Sequence, residues 1–433
     1  MPAERSYLFL QGSASQFFNL LGRALLEKGH PVHRVNFNGG DQLFWRLPGA
    51  VSYRWGLKGW AEFLEAHLTK WTVTDIVLFG DCRPLHREAV RIAKLRGIRV
   101  YVFDEGYIRP NWMTMELGGV NGFSMLPHDP AWFRAAAARL PAFNGGSPVV
   151  SNFSRRAFED VAYNVATASL MLLYPGYSTH RPWHPFIEYG GWLLRFSRKS
   201  AVRRRVAAGL ARLATLKRPY FFFPLQLDCD SQIRHHSSIG RIAPAIHHVI
   251  ASFARHAPAD RILVLKEHPL DNALTNWRVM TARIAAKAGV GNRVIYLEDA
   301  NLDSLLSHCE GVVTINSTVG FLALAHGKPV VTLGDAIYDM QDLTFQGMLD
   351  DFWTSCTAPD PETFDALRRV AVARTQVNGG FFSREGLDLA VAGTLARLEQ
   401  TLPEAVIMPM PTAAGGLPVE NTAAARNKRT RAG

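Results

Sequence analysis

Short apolar runs alternate with helix-patterned stretches in two successive blocks, and this alternation narrows the folds open to the chain. In the first block SYLFLQG, PVHRVNF, TDIVLFG and IRVYVFDEG are separated by SQFFNLLGRALLEKG, KGWAEFLEAHLTKW and HREAVRIAKLRG. In the second, YFFFPLQ, RILVLKEHP, RVIYLED, GVVTINS and PVVTLG alternate with PAIHHVIASFARHAP, LTNWRVMTARIAAKAG, NLDSLLSHC and TVGFLALAHG. Strands this uniformly apolar predict parallel sheets covered on both faces. The expected fold class is α/β, with two Rossmann-like domains facing across a cleft and both sets of strand C-terminal ends at that cleft. The predicted divisions are an N-terminal domain over 1–195, a basic connector over 196–218, a C-terminal domain over 219–400 and a tail over 401–433. The tail is rich in Pro, Ala, Gly and charge and is expected to be disordered.

Composition restricts the function classes. The chain has 433 residues, 48% of them hydrophobic, which suffices for two domains with real cores. A formal net charge of +11 points to anionic partners such as phosphorylated substrates, nucleic acid or an acidic membrane surface. Cys82, Cys229, Cys309 and Cys356 form no CxxC pair, which argues against a zinc site or disulfide framework and for a reducing compartment. The apolar run in MPAERSYLFLQGS is too short for a signal peptide, and no run approaches the roughly 18–20 residues that span a bilayer. A soluble or peripheral protein is expected. The stretch LLRFSRKSAVRRRVAAGLARLATLKRP reads either as a solvated connector helix or as a contact with acidic lipid through Arg203, Arg204 and Arg205.

Polar clusters recur just after the predicted strands, where open α/β sheets bind ligands. FNGGD supplies Gly39, Gly40 and Asp41, GDCRP supplies Asp81 and Arg83, and DEGYIRP supplies Asp104, Glu105, Tyr107 and Arg109. In the second block QLDCDSQIRHHS supplies Gln226, Asp228, Asp230, Gln232, Arg234 and His235; KEHP supplies Lys266, His268 and Pro269; NST supplies Asn316, Ser317 and Thr318. The glycine pair allows backbone to approach a ligand closely, or makes a tight turn. Asp81 and Arg83 are placed to form an ion pair. A carboxylic acid after a strand can serve as general acid or base, or simply pair with Arg109. Lys266 and His268 alternate and are expected to point to one side. Ser317 and Thr318 precede a helix, so they either cap it or, with its free N–H groups, hold a phosphate. Asp228 and Asp230, two apart in an extended segment, would face the same way.

These motifs, with the GGVN that follows DEGYIRP and the TINSTxG pattern, resemble the capsular polysaccharide biosynthesis β-Kdo transferases of bacterial ABC-transporter-dependent capsule systems. The resemblance runs from about Tyr7 to Asn378. It implies a GT-B-like glycosyltransferase moving Kdo from CMP-Kdo to an anionic glycerophospholipid of phosphatidylglycerol type, starting the poly-Kdo linker of a capsule. It implies retention, through double displacement and a covalent Kdo–enzyme adduct. Matching to the family favours Asp230 as nucleophile over Asp228, and Glu105 as acid/base over Asp104, the two meeting across the cleft. Lys266, His268, Arg109 and Arg234 become counter-charges, Gln226 and Gln232 sugar contacts, His235 an anion contact, and Ser317 and Thr318 holders of the CMP phosphate. No metal and no cofactor beyond the donor is expected, and no nucleic acid. The location implied is the cytoplasmic face of the inner membrane, with a second Kdo transferase and the capsule export complex as partners. Two other readings compete: a CDP-donor enzyme such as a teichoic-acid-type glycerol phosphotransferase, and a non-catalytic export or scaffold protein.

Overall fold

The computed structural model describes residues 5–179, 183 and 185–399. Residues 5–126, 136–179 and 368–399 form one compact unit, and 127–135, 183 and 185–367 form another. The predicted tail lies outside the described residues. In chain order the strands are β1 (Tyr7–Phe9), β2 (Val32–Asn36), β3 (Ala50–Ser52), β4 (Asp75–Phe79), β5 (Arg99–Glu105), β6 (Trp112–Leu117), β7 (Tyr220–Pro224), β8 (Ile262–Lys266), β9 (Val294–Leu297), β10 (Gly311–Thr314), β11 (Val330–Thr332) and β12 (Gln376–Asn378).

The first unit holds a seven-stranded sheet in the order β12-β6-β5-β4-β1-β2-β3. Strands β1 to β5 are parallel. Alternation sends Leu8, Val35, Ile76, Leu78 and Val102 to one face, against Trp60 and Leu64 of the Trp60–Lys70 helix and Ile92 of the Pro84–Leu95 helix. Tyr7, Phe9, Val77 and Phe103 go to the other, against Phe17 and Leu21 of the Phe17–Glu27 helix and Leu387 of the Arg384–Leu398 helix. Both faces are dry, so the strands read as unbroken apolar runs. Each such side chain contributes about 1.5–3 kcal/mol by leaving water.

The structure divides the chain differently from the predicted boundaries. Residues 368–399 return to the first unit, where β12 pairs antiparallel with β6 and β6 antiparallel with β5. Thr114, Glu116, Gln376 and Asn378 interrupt β6 and the edge strand β12, so neither reads as an apolar run. The predicted connector is the Lys199–Leu216 helix of the second unit, packed on β9. A Cβ on its Gly209 would lie 2.8 Å from Leu297.

The second unit holds a five-stranded, all-parallel sheet in the order β11-β10-β7-β8-β9. Phe221, Phe223, Leu263, Leu265 and Val313 pack with Ile246, Val249 and Phe253 of the Ile242–His256 helix and with Trp353. Both sheets reverse direction once. The first runs outward from β1 to β3 and resumes with β4 on the other side of β1; the second runs from β7 to β9 and resumes with β10 beside β7. At such a reversal the helices leave the two central strands toward opposite faces, opening a crevice at the strand C-terminal ends.

Candidate active site

In the second unit the reversal falls between β7 and β10. Gln226 and Asn316, just beyond these strands, tie their ends together. The Gln226 Nε2 donates to Asn316 Oδ1 at 3.0 Å, and the Asn316 N–H donates to Gln226 Oε1 at 3.2 Å. Asn316 Nδ2 donates in turn to the His236 carbonyl at 3.2 Å. Both amides are buried. Gln226, expected as a sugar contact, is thus a brace across the reversal. Ser317 caps the Thr318–Ala325 helix, its Oγ accepting the Val319 N–H at 3.1 Å. Its carbonyl accepts from the Tyr338 hydroxyl at 2.5 Å. Ser317 and Thr318 stay half-buried at a helix N-terminus, the positive end of the helix dipole.

The segment after Leu227 is not extended. It turns at 228–229 and enters a short helix, Ser231–His235, so strand alternation does not align Asp228 with Asp230. Asp228 Oδ1 accepts the Ile242 N–H at 2.9 Å, capping the Ile242–His256 helix, and its carbonyl takes Arg234 Nε at 3.3 Å. Asp230 is half-buried at the start of the short helix, its carbonyl accepting N–H groups from Ile233 and Arg234 at 3.2 and 3.3 Å. His235 is exposed. The Gln232 side chain lies outside what the structure describes.

Lys266 ends β8 and is buried, and burial pushes its ammonium below the usual lysine range against the pull of Asp299 and Glu267. Its Nζ donates to the Glu267 carbonyl at 3.3 Å. His268 lies past the strand, so the alternation expected to align it with Lys266 ends two residues too early. Its Nδ1 accepts the Leu270 N–H at 3.1 Å, which leaves the proton of the neutral ring on Nε2. Pro269 is exposed. Glu267, which the sequence did not mark, is clasped by Arg195 Nη1 at 2.8 Å and the Tyr296 hydroxyl at 2.7 Å.

In the first unit the reversal falls between β1 and β4, at Gln11–Gly12 and at Asp81–Arg83. Asp81 accepts the Val120 N–H at 2.9 Å, and Arg83 reaches the Gly12 carbonyl at 3.4 Å. The expected Asp81–Arg83 pair does not form, because each partner is committed elsewhere. FNGGD also has another role. Residues Gly39–Phe44 form a helix capped by Asn38, which accepts the Asp41 N–H at 2.9 Å. A Cβ on Gly39 would lie 2.1 Å from the Ala166 carbonyl oxygen, and one on Gly40 2.6 Å from the Tyr163 ring. The close approach these glycines permit is that of the Phe153–Ser169 helix. Asp41 is buried against Arg34 at 3.1 Å.

At the end of β5, Asp104 Oδ1 accepts the Glu105 N–H at 2.8 Å. The Glu105 carboxylate lies 2.5 Å from Arg109 and 2.8 Å from Arg156. Burial alone would raise its pKa; the guanidiniums of Arg109 and Arg156 outweigh that and hold it below the usual glutamate range. Arg156 comes from the Phe153–Ser169 helix and stands 4.8 Å from the Phe382 ring. A pocket of about 150 Å³ is lined by Glu105, Arg109, Arg156, Gly380, Phe382 and Ser383. Arg156 and the 379–383 loop lie outside every cluster marked in the sequence; the loop's glycine pair was its only signal. Tyr107 is a buried brace: its hydroxyl donates to Glu116 at 2.6 Å and accepts the Asn121 N–H at 2.6 Å. Burial pushes Glu116 up to about 7, despite hydrogen bonds from Ser124 and Tyr107.

Of the three connector arginines, Arg205 is held by Glu298 through contacts of 2.7 and 2.7 Å, while Arg203 and Arg204 are exposed. No helix among the described residues is long and apolar enough to cross a membrane.

The two units define an α/β protein with parallel sheets and polar residues gathered at the strand C-terminal ends. Residues 74–382 match the family described as capsule polysaccharide biosynthesis protein. The chain is 36% identical over 383 residues to the capsule polysaccharide export protein KpsS of Escherichia coli, covering 87% of this chain and 97% of that one. It is 34% identical over 396 residues to the capsule polysaccharide modification protein LipB of Neisseria meningitidis serogroup A, covering 89% and 93%. Among solved structures it is similar to Thermosulfurimonas dismutans KpsC, beta Kdo 2,7 transferase, at 13% identity and a TM-score of 0.42, covering 92% of this chain and 100% of that one. This chain belongs to the capsule polysaccharide biosynthesis protein family.

Proposed function

We propose that the protein is a retaining β-Kdo glycosyltransferase that moves Kdo from CMP-Kdo to a phosphatidylglycerol-type lipid at the cytoplasmic face of the inner membrane, starting a poly-Kdo capsule linker. The observation that carries the chemistry is Glu105, kept ionised between Arg109 and Arg156 in a pocket at a strand end. A carboxylate held in that form suits a base better than an acid.

In the first displacement the Asp230 carboxylate attacks the anomeric carbon. The bond from that carbon to the phosphate oxygen breaks, and its electron pair leaves with CMP, which carries it as phosphate charge and needs no proton. In the second, Glu105 takes the proton of the acceptor hydroxyl; that oxygen attacks the same carbon and expels Asp230. Two inversions give net retention. The phosphate of the donor is assigned to Lys266, the Nε2–H of His268, Arg234 and the helix start at Ser317–Thr318, so its counter-charges are protein groups.

The test is nucleotide release. With a short-chain phosphatidylglycerol present, CMP is expected from CMP-Kdo and not from CDP-glycerol. Consumption of CDP-glycerol alone would replace this reading with the glycerol phosphotransferase. Consumption of neither would support an export role, as the name of the Escherichia coli relative suggests for that protein.

A further inference from the structure

The Pro185–Ser197 helix is built inside out. Its charged residues face the unit it belongs to: Glu188 is buried, and Arg195 Nη1 reaches Glu267 at 2.8 Å and the Asp271 carbonyl at 2.5 Å. Gly191 shares that face, where a Cβ would lie 2.5 Å from the Asn272 carbonyl oxygen. At 3.6 residues per turn, positions 188, 191, 192 and 195 fall together. The opposite arc carries Ile187, Leu193, Leu194 and Phe196, which are 49%, 71%, 43% and 55% exposed. A helix that faces only water has the reverse arrangement.

Charge says what covers this arc. From 183 to 218 the sequence holds a single acidic residue, the buried Glu188. Arg198, Lys199, Arg203 and Arg204, directly C-terminal to the arc, are all exposed. An apolar strip flanked by exposed bases without acids is complementary to the headgroup boundary of an anionic bilayer.

We propose that the Pro185–Ser197 helix is an interfacial anchor, which lays Ile187, Leu193, Leu194 and Phe196 into an anionic bilayer surface while the four exposed bases meet lipid phosphates. The anchor deepens the proposed function, resting on it only for which membrane is met; binding requires no sugar transfer.

The experiment is flotation of the full chain with mixed phosphatidylethanolamine–phosphatidylglycerol vesicles, without donor. Leu193→Ser combined with Phe196→Ser is expected to weaken binding by on the order of tenfold or more, with an unchanged melting midpoint because both side chains are exposed. Arg203→Ser and Arg204→Ser should each cost on the order of fivefold at low salt. An environment-sensitive dye on Leu193→Cys should shift to the blue on vesicles. Unchanged flotation of the serine pair, or water-like dye emission from vesicle-bound protein, overturns the anchor. So does a serine pair that loses self-association and keeps vesicle binding, which would assign the arc to a second copy. Vesicle binding without Kdo transfer leaves the anchor and removes the functional reading; transfer to a short-chain acceptor without vesicle binding does the opposite.

Discussion

The Glu105 carboxylate, at the end of β5, lies 2.8 Å from the guanidinium of Arg156 on the Phe153–Ser169 helix. The pair, with Arg109, keeps Glu105 below its unfolded pKa. Its stabilising contribution is therefore present above the unfolded carboxylate range and is lost as pH falls through the folded value. The charge of the proposed base follows the same curve. Arg156→Gln removes one opposite charge, so the acid limb of the kcat/KM profile should move to higher pH. Glu105→Gln should abolish turnover in a folded protein. An acid limb that stays in place in Arg156→Gln would remove Glu105 as the base.

Asp228 and Asp230 separate by their tasks. Asp228 holds the first N–H of the Ile242–His256 helix at 2.9 Å, so Asp228→Ala should cost about 1–2 kcal/mol of stability. Asp230→Asn is expected to leave the melting midpoint within the scatter of surface substitutions and to stop turnover. The check is thermal unfolding beside CMP release for each variant. Full turnover by Asp230→Asn would move the nucleophile elsewhere.

Glu116 makes stability depend on pH near neutrality. Burial raises its folded pKa to about 7 from the ordinary glutamate value of 4.5. Its favourable contribution is fully present below the unfolded value and is lost as pH rises through the folded one. Wild-type stability should therefore fall between pH about 5 and 8, and Glu116→Gln should flatten that fall. Urea midpoints across this range decide it; parallel curves for the two proteins would show that Glu116 does not titrate there.

Gly39 tests the corrected role of FNGGD. A Cβ there would lie 2.1 Å from backbone oxygen, which cannot yield as a side chain does. Gly39→Ala should destabilise by about 1–3 kcal/mol or more and loosen amide protection in the Phe153–Ser169 helix. A change confined to KM, with stability intact, would return the glycine to ligand binding.

The strands of both sheets that lie buried on two faces were readable, because their apolar character is local. Strands β6 and β12 were not: Gln376 finds Thr114 across most of the chain, and no local pattern announces such a partner. The strand-end clusters were equally readable, and their contents were only partly so. Residue type placed Gln226, Asp41 and Tyr107 at the right edges. Tertiary partners then made them braces, with Asn316, Arg34 and Glu116. Arg156 joins Glu105 from a separate helix, and the turn at 228–229 defeats the alternation that strand reasoning assumed. What distant elements supply is invisible to spacing along the chain.

The central claim is the transfer of Kdo to lipid, and the lipid itself reports on it. After incubation of the purified full chain with CMP-Kdo and a short-chain phosphatidylglycerol, mass spectrometry should find the lipid heavier by Kdo residues, with CMP released in equal amount and the added sugar β-linked. Unmodified lipid beside intact CMP-Kdo would contradict the account.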